Sequence, residues 1–172
     1  GTFNGVSAYD ATNVTIGGNT AADRNVISGN SGNGIAIGGA STGSIYGNYI
    51  GTNAAGTGDV TGTGSNTAQS GVVFTLGSSG NTIGGLTPAA RNIISGNDRN
   101  GVWLTGFDTT GNVVQGNYIG TDATGTVDLG NTLNGVFISY AASNNLVGGA
   151  SAAARNVISG NREGIPTRGL GA

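Results

Sequence analysis

The sequence predicts an all-β chain wound as a parallel β-solenoid, and three observations carry that expectation. The chain repeats itself with a two-part period, its apolar residues fall at every second position of short segments, and its composition disfavours helix. With 36 glycines in 172 residues and a single glutamate, a helical reading would cost roughly 1 kcal/mol at each glycine relative to alanine. Regularly placed Ile and Val argue against disorder, the other outcome of glycine richness.

The period is read from the segment Asn81–Asn97, which recurs from Val14 and from Asn145 with few changes. A second unit alternates with it: Ser44-Ile-Tyr-Gly-Asn48-Tyr-Ile-Gly-Thr and Val113-Val-Gln-Gly-Asn117-Tyr-Ile-Gly-Thr. Arg24, Arg91 and Arg155 therefore mark a period of about 65 residues made of two unlike halves.

Each half opens on a Gly-Val or Gly-Ile step, at Val6, Ile35, Val72, Val102, Val136 and Ile165. Two further short apolar stretches follow each opening, so about five to six coils of three short strands are expected. Period-2 alternation points Val6, Ile35, Ile37, Val72, Phe74, Val102, Leu104, Val136 and Ile138 inward on the first strand. Ile16, Ile45, Ile83, Val114 and Val147 follow on the second, and Ile27, Ile50, Ile94, Ile119 and Ile158 on the third. Asn25, Asn48, Asn92, Asn117 and Asn156 share that inward parity and are expected to stack as a hydrogen-bonded ladder.

A meander of hairpins is the rival, because Asn4-Gly5, Asn33-Gly34, Asn100-Gly101 and Asn134-Gly135 are also type I′ turn dipeptides. Repetition decides for the solenoid. Hairpins do not require equivalent residues in every turn of chain, whereas a solenoid stacks each residue about 4.8 Å from its counterpart.

The alternating Asn-Thr-Ile-Gly-Gly, Ala-Arg-Asn-Ile and Gly-Asn-Tyr-Ile-Gly-Thr units resemble the right-handed parallel β-helix repeats of large secreted or surface-attached bacterial proteins. The resemblance covers residues 4–165. It implies the pectate-lyase-like architecture, right-handed winding and an extracellular or cell-surface location. That superfamily spans polysaccharide lyases, hydrolases and epimerases as well as non-catalytic adhesin and scaffold segments, so the fold leaves activity open.

Composition narrows the chemistry. With no Cys, His, Lys or Met, the usual zinc and haem sites, the Ser-His-Asp relay, the P-loop and the Schiff base are all excluded. Six arginines against eight acidic residues give a net charge of −2, which supplies no general field for a nucleic-acid backbone. No apolar run is long enough for membrane insertion. The reading leans towards no enzyme and no cofactor; if the chain is catalytic, a polysaccharide lyase or glycoside hydrolase is the expected class.

Three groups of residues remain as site candidates. The turns Asn53–Asp59 and Asp122–Asp128 could offer calcium the carboxylates of Asp59, Asp122 and Asp128 with loop carbonyls. Local amide capping by Asp is the alternative and is preferred. The row Arg24, Arg91, Arg155 could track an anionic polysaccharide, or could bond loop carbonyls; the second use is preferred. Trp103 and Phe137, with Tyr140 nearby, form an outward aromatic strip that fits a partner protein first and a sugar face second. A further outward row, Val26, Tyr49, Ile93, Tyr118 and Val157, has to be covered by loops or by another chain.

The expectation is thus one solenoid domain over 1–172, a piece of a longer array, acting as a structural or interaction module of a surface protein. Its expected partners are neighbouring repeats or copies of itself, with end-to-end filaments as one outcome and an acidic polysaccharide as the alternative.

Overall fold

The computed structural model describes residues 3–39, 42–60, 70–165 and 167–168; the rest of the predicted 1–172 solenoid lies outside the described residues. Three parallel sheets wrap one aliphatic interior. The first contains Val6–Tyr9 (β1), Ile35–Gly38 (β4), Val72–Phe74 (β7), Val102–Thr105 (β10), Val136–Ser139 (β13) and Thr167–Arg168 (β16). The second contains Val14–Gly17 (β2), Gly43–Tyr46 (β5), Thr82–Gly84 (β8), Val113–Gln115 (β11) and Leu146–Val147 (β14). The third contains Val26–Ile27 (β3), Tyr49–Ile50 (β6), Ile93–Ile94 (β9), Tyr118–Ile119 (β12) and Val157–Ile158 (β15).

Each strand pairs in parallel with the strand three places along the chain, as in β4 to β7 and β7 to β10. The chain therefore makes five full coils and enters a sixth. This is the parallel β-helix that the repeat predicts, wound in the right-handed sense usual for parallel crossovers. No α-helix occurs among the described residues, only three 3-10 turns at Ala21–Asp23, Pro88–Ala90 and Ala152–Ala154. None of these is long and apolar enough to cross a membrane.

The interior is the set of side chains that the alternation predicts. Ile35, Val72, Val102 and Val136 stack in one register on the first sheet, Ile45, Ile83 and Val114 on the second, and Ile50, Ile94 and Ile119 on the third, all buried. Val6, Ile138, Val147 and Ile158, in the outer coils, pack against this core while only partly buried. The third strands are two residues long in every coil, because a corner follows the inward Ile at once.

The Asn-Gly dipeptides do not make hairpin turns. They lie at the corner that leads into the first sheet, where Gly101 backs onto the third-sheet Ile119. A Cβ there would sit 2.6 Å from Ile119 Cγ2 and 2.7 Å from the Gly135 carbonyl oxygen. Glycine is required for close approach of two stacked walls, not for turn geometry.

Odd and even coils differ at two corners. Between the second and third sheets the odd coils carry seven-residue loops, Gly18–Arg24, Gly85–Arg91 and Gly149–Arg155, where the even coils have only Gly47 or Gly116 before the asparagine. Between the third and first sheets the even coils carry the long excursions that begin with Thr52–Asp59 and Thr121–Asp128. Loops from odd coils close over an even corner from both sides: a Cβ at Gly47 would meet the Gly18 oxygen at 2.3 Å and the Ala89 oxygen at 3.0 Å. Even loops meet across an odd coil in the same way, with Ala123 N donating to Gly56 O at 2.8 Å. The two-part period is thus a steric interlock.

Candidate functional site

Asparagine ladders line the corners. Asn25 Nδ2 donates to Asn48 Oδ1 at 2.9 Å, Asn48 to Asn92 at 3.3 Å, Asn92 to Asn117 at 2.9 Å and Asn117 to Asn156 at 3.1 Å. Each acceptor oxygen also takes the backbone N–H of the preceding rung. The other amide hydrogen goes to a second-sheet carbonyl, as from Asn92 to Ile45 O at 2.8 Å and from Asn117 to Ile83 O at 2.9 Å. The ladder therefore ties the third strands to each other and to the second sheet.

Three further ladders were not assigned from sequence. Asn81, Asn112 and Asn145 form one, and Asn97, Asn131 and Asn161 another. The fourth runs through Asn4, Asn33, Ser70, Asn100 and Asn134, with its side-chain amides donating towards the preceding coil instead of the next. The signal for the fourth was present in the Asn-Gly repeats, and it was the competing turn reading of that dipeptide that hid it. Among the described residues no buried side-chain N or O lacks a partner.

The arginines lie on the outside of the 2–3 corner. Arg24 Nε donates to Gly47 O at 3.2 Å and its guanidinium carbon lies 4.1 Å from the Tyr49 ring centroid. Arg91 repeats both contacts, with Gly116 O at 3.2 Å and with Tyr118 at 4.0 Å. Arg155 is exposed and belongs to coil 5. The outward row on the third sheet is covered unevenly, with Val26 exposed and Tyr49, Tyr118 and Val157 half-buried. Ile93 is buried, and a Cβ at Gly125 would lie 2.8 Å from Tyr118 Cε2, so the even-coil loop rests against the ring.

Trp103 and Phe137 are register partners on β10 and β13, with ring centroids 6.2 Å apart and planes inclined by 20°. Trp103 Nε1 donates to Ser139 Oγ at 2.9 Å, and Arg99 lies 5.9 Å from the indole centroid. Both rings are half-buried, while Ala36 and Val73, which share their row, are buried. Tyr140 is exposed in a left-handed turn with φ 50°, just past the strand that holds Phe137. A shallow depression beside Phe137 is lined by Leu133, Asn134, Arg162 and Glu163.

The acidic turns are internally occupied. Asp122 is buried, and its Oδ1 accepts from Thr126 N and Val127 N, each at 3.1 Å, while Thr124 Oγ1 donates to both carboxylate oxygens. Burial pushes the Asp122 carboxyl up, but the donations from Val127, Thr124 and Thr126 outweigh it and hold its pKa below the usual 3.8. Asn53 plays the same part in coil 2, accepting from Ala55 N and Thr57 N. Asp128 Oδ1 accepts from Gly130 N at 2.9 Å, and Asp59 pairs through its backbone with Thr52. No three His, Cys, Asp or Glu side chains come together as a metal site among the described residues.

Comparison with family models, with curated proteins and with solved structures gives no match. The class that the geometry defines is a parallel β-helix solenoid.

Proposed function

We propose that the chain is a rigid, non-catalytic solenoid module of an extracellular or cell-surface protein, holding other surfaces at fixed spacing. The observation that carries this reading is the commitment of its polar side chains to the backbone. The asparagines bind neighbouring rungs and strand carbonyls, Arg24 and Arg91 bind corner carbonyls and tyrosines, and Asp122 caps its own loop. Such groups stabilise a shape and have little freedom left for substrate. The resemblance of the repeats to the pectate-lyase-like solenoids of secreted and surface proteins supports the location.

Association through the end coils is one form of this reading where the facing coils differ in type, because β14 and β15 are edge strands among the described residues. Binding of an acidic glycan is the second reading, favoured by the Trp103–Phe137 pair with Arg99 beside it. An acidic-glycan panel, with and without calcium, assayed for unsaturated and reducing-end products and for change in Trp103 fluorescence, separates them. The scaffold reading expects neither products nor a spectral change. Turnover would overturn it, and a saturable fluorescence change alone would move the assignment to glycan binding.

A further inference from the structure

We infer that the exposed surface of coil 5, formed by the edges of β14 and β15 and the loop Gly149–Arg155, is built to receive one kind of partner: an even-type coil carrying the Gly-Asn-Tyr-Ile-Gly signature. The inference rests on the scaffold reading and names the partner of that scaffold.

The chain displays this docking twice. Coil 2 covers coil 1 and coil 4 covers coil 3, each time with an arginine Nε on a corner glycine carbonyl and a guanidinium on a tyrosine ring. Coil 5 presents the same residue types in the same order through Arg155 and Asn156. In the inner coils, the backbone N–H and side-chain amide at the Asn156 position donate to the asparagine of the next coil. Asn145 and Asn161 are the last rungs, among the described residues, of two other ladders of the same polarity. Among the described residues coil 5 therefore offers amide donors at three corners, which an incoming coil meets with asparagine oxygens as Asn112, Asn117 and Asn131 of coil 4 meet those of coil 3.

Sterics choose between coil types. The loop Gly149–Arg155 is met on its inner side by the single-glycine corner of coil 4, with Gly116 N donating to Ala154 O at 3.2 Å. Only a coil with the same one-residue corner leaves room for that loop on the other side. An odd coil would bring a second seven-residue loop into one strand spacing of about 4.8 Å. An even coil would also set its long loop over that of coil 4, where Gly125 O stands in the place that Gly56 O occupies for Ala123 N. Coil 1 is itself of the odd type, so in-register stacking of coil 1 of a second copy onto coil 5 puts odd on odd. The favoured partner is an even coil and not that end of an identical chain.

The test titrates the full chain with a labelled peptide of residues 110–131, the second and third strands and loop of coil 4, and reads anisotropy. Saturable binding is expected, weakened about tenfold by Tyr118→Ala in the peptide or Arg155→Ala in the chain. A peptide of residues 79–97, from an odd coil, is expected not to bind over the same range. Equal binding of the two peptides, indifference to Arg155→Ala, or no saturation by the even peptide up to about 1 mM would overturn the inference. A second measurement removes the cost of ordering a free peptide. Replacing residues 165–172 by a copy of residues 102–134 should raise the melting midpoint by about 5 °C or more over the same replacement with residues 72–100. Equal midpoints contradict the pairing rule. Failure here with a silent glycan panel removes only the coil-5 inference, whereas glycan turnover removes the scaffold reading and leaves the peptide result standing.

Discussion

Arg91 lies over the ring of Tyr118 in the next coil, 4.0 Å from guanidinium carbon to ring centroid, while its Nε holds the carbonyl oxygen of Gly116. Arg24 and Tyr49 repeat the arrangement one period earlier. One side chain thus fastens an odd loop to an even corner through a directional bond and a face contact together. Arg91→Ala should destabilise the fold by about 1–2 kcal/mol, the sum of a partly exposed cation–π contact and a hydrogen bond. Arg155→Ala, at an exposed position with neither contact among the described residues, should stay within about 0.5 kcal/mol of the parent. Urea denaturation of the two variants side by side checks the contrast.

Asn117 is buried and joined to Asn92, Asn156 and Ile83. Asn117→Ala removes the acceptor of the Asn92 backbone N–H and of one Asn92 amide hydrogen, and takes one donor from the Ile83 carbonyl, at a cost of about 3 kcal/mol. Because a solenoid can open coil by coil, hydrogen exchange is the suitable readout. Protection should fall first for the third-sheet amides of coils 3 to 5 and later for coils 1 and 2. Uniform loss along the chain would mean that the ladder does not act locally.

Gly101→Ala places a methyl 2.7 Å from a backbone oxygen and 2.6 Å from the Ile119 side chain. Neither wall can retreat without separating stacked strands, so a loss of about 2 kcal/mol or more is expected. Gly164→Ala, which meets nothing within 4 Å, is the matched control and should be near neutral.

Asp122 supplies a pH test with a defined sign. Its pKa is lowered in the fold, from an ordinary value of 3.8. Its contribution is therefore complete above the unfolded value and is lost as pH falls through the folded one. Stability should decline as pH drops below about 5, and Asp122→Asn should remove part of that decline. The substitution reproduces Asn53, which caps the equivalent loop through its amide oxygen, so neutral-pH stability should change little. Identical acid profiles for the two proteins would contradict the capping role.

The core was legible because Ile and Val recur at alternate positions of every coil, and burial of an aliphatic side chain needs only that periodicity. The Asn25–Asn156 ladder was legible for the same reason, since its members stand two residues before an inward Ile. The ladder through Asn4, Asn33, Asn100 and Asn134 was masked by an equally good turn chemistry and by Ser70 at its middle rung. The contact of Arg91 with Tyr118 spans 27 positions between unlike repeats, and repetition compares like with like. That the outer row on the third sheet needs a cover was legible, but the identity of the cover was not. Which loop folds back onto Tyr118 depends on the Gly125 approach, a three-dimensional fact that spacing does not encode.

The central claim is that like positions stand one strand spacing apart along the whole solenoid. Thr15, Ser44, Thr82, Val113 and Leu146 occupy one register line on the second sheet. The chain has no native cysteine, so Thr15→Cys and Leu146→Cys can be spin-labelled cleanly, and pulsed electron resonance then measures the span. Four strand spacings predict a single narrow distance near 19 Å, widened only by the label arms. A distance beyond about 30 Å, or a broad distribution, would contradict the stacked solenoid.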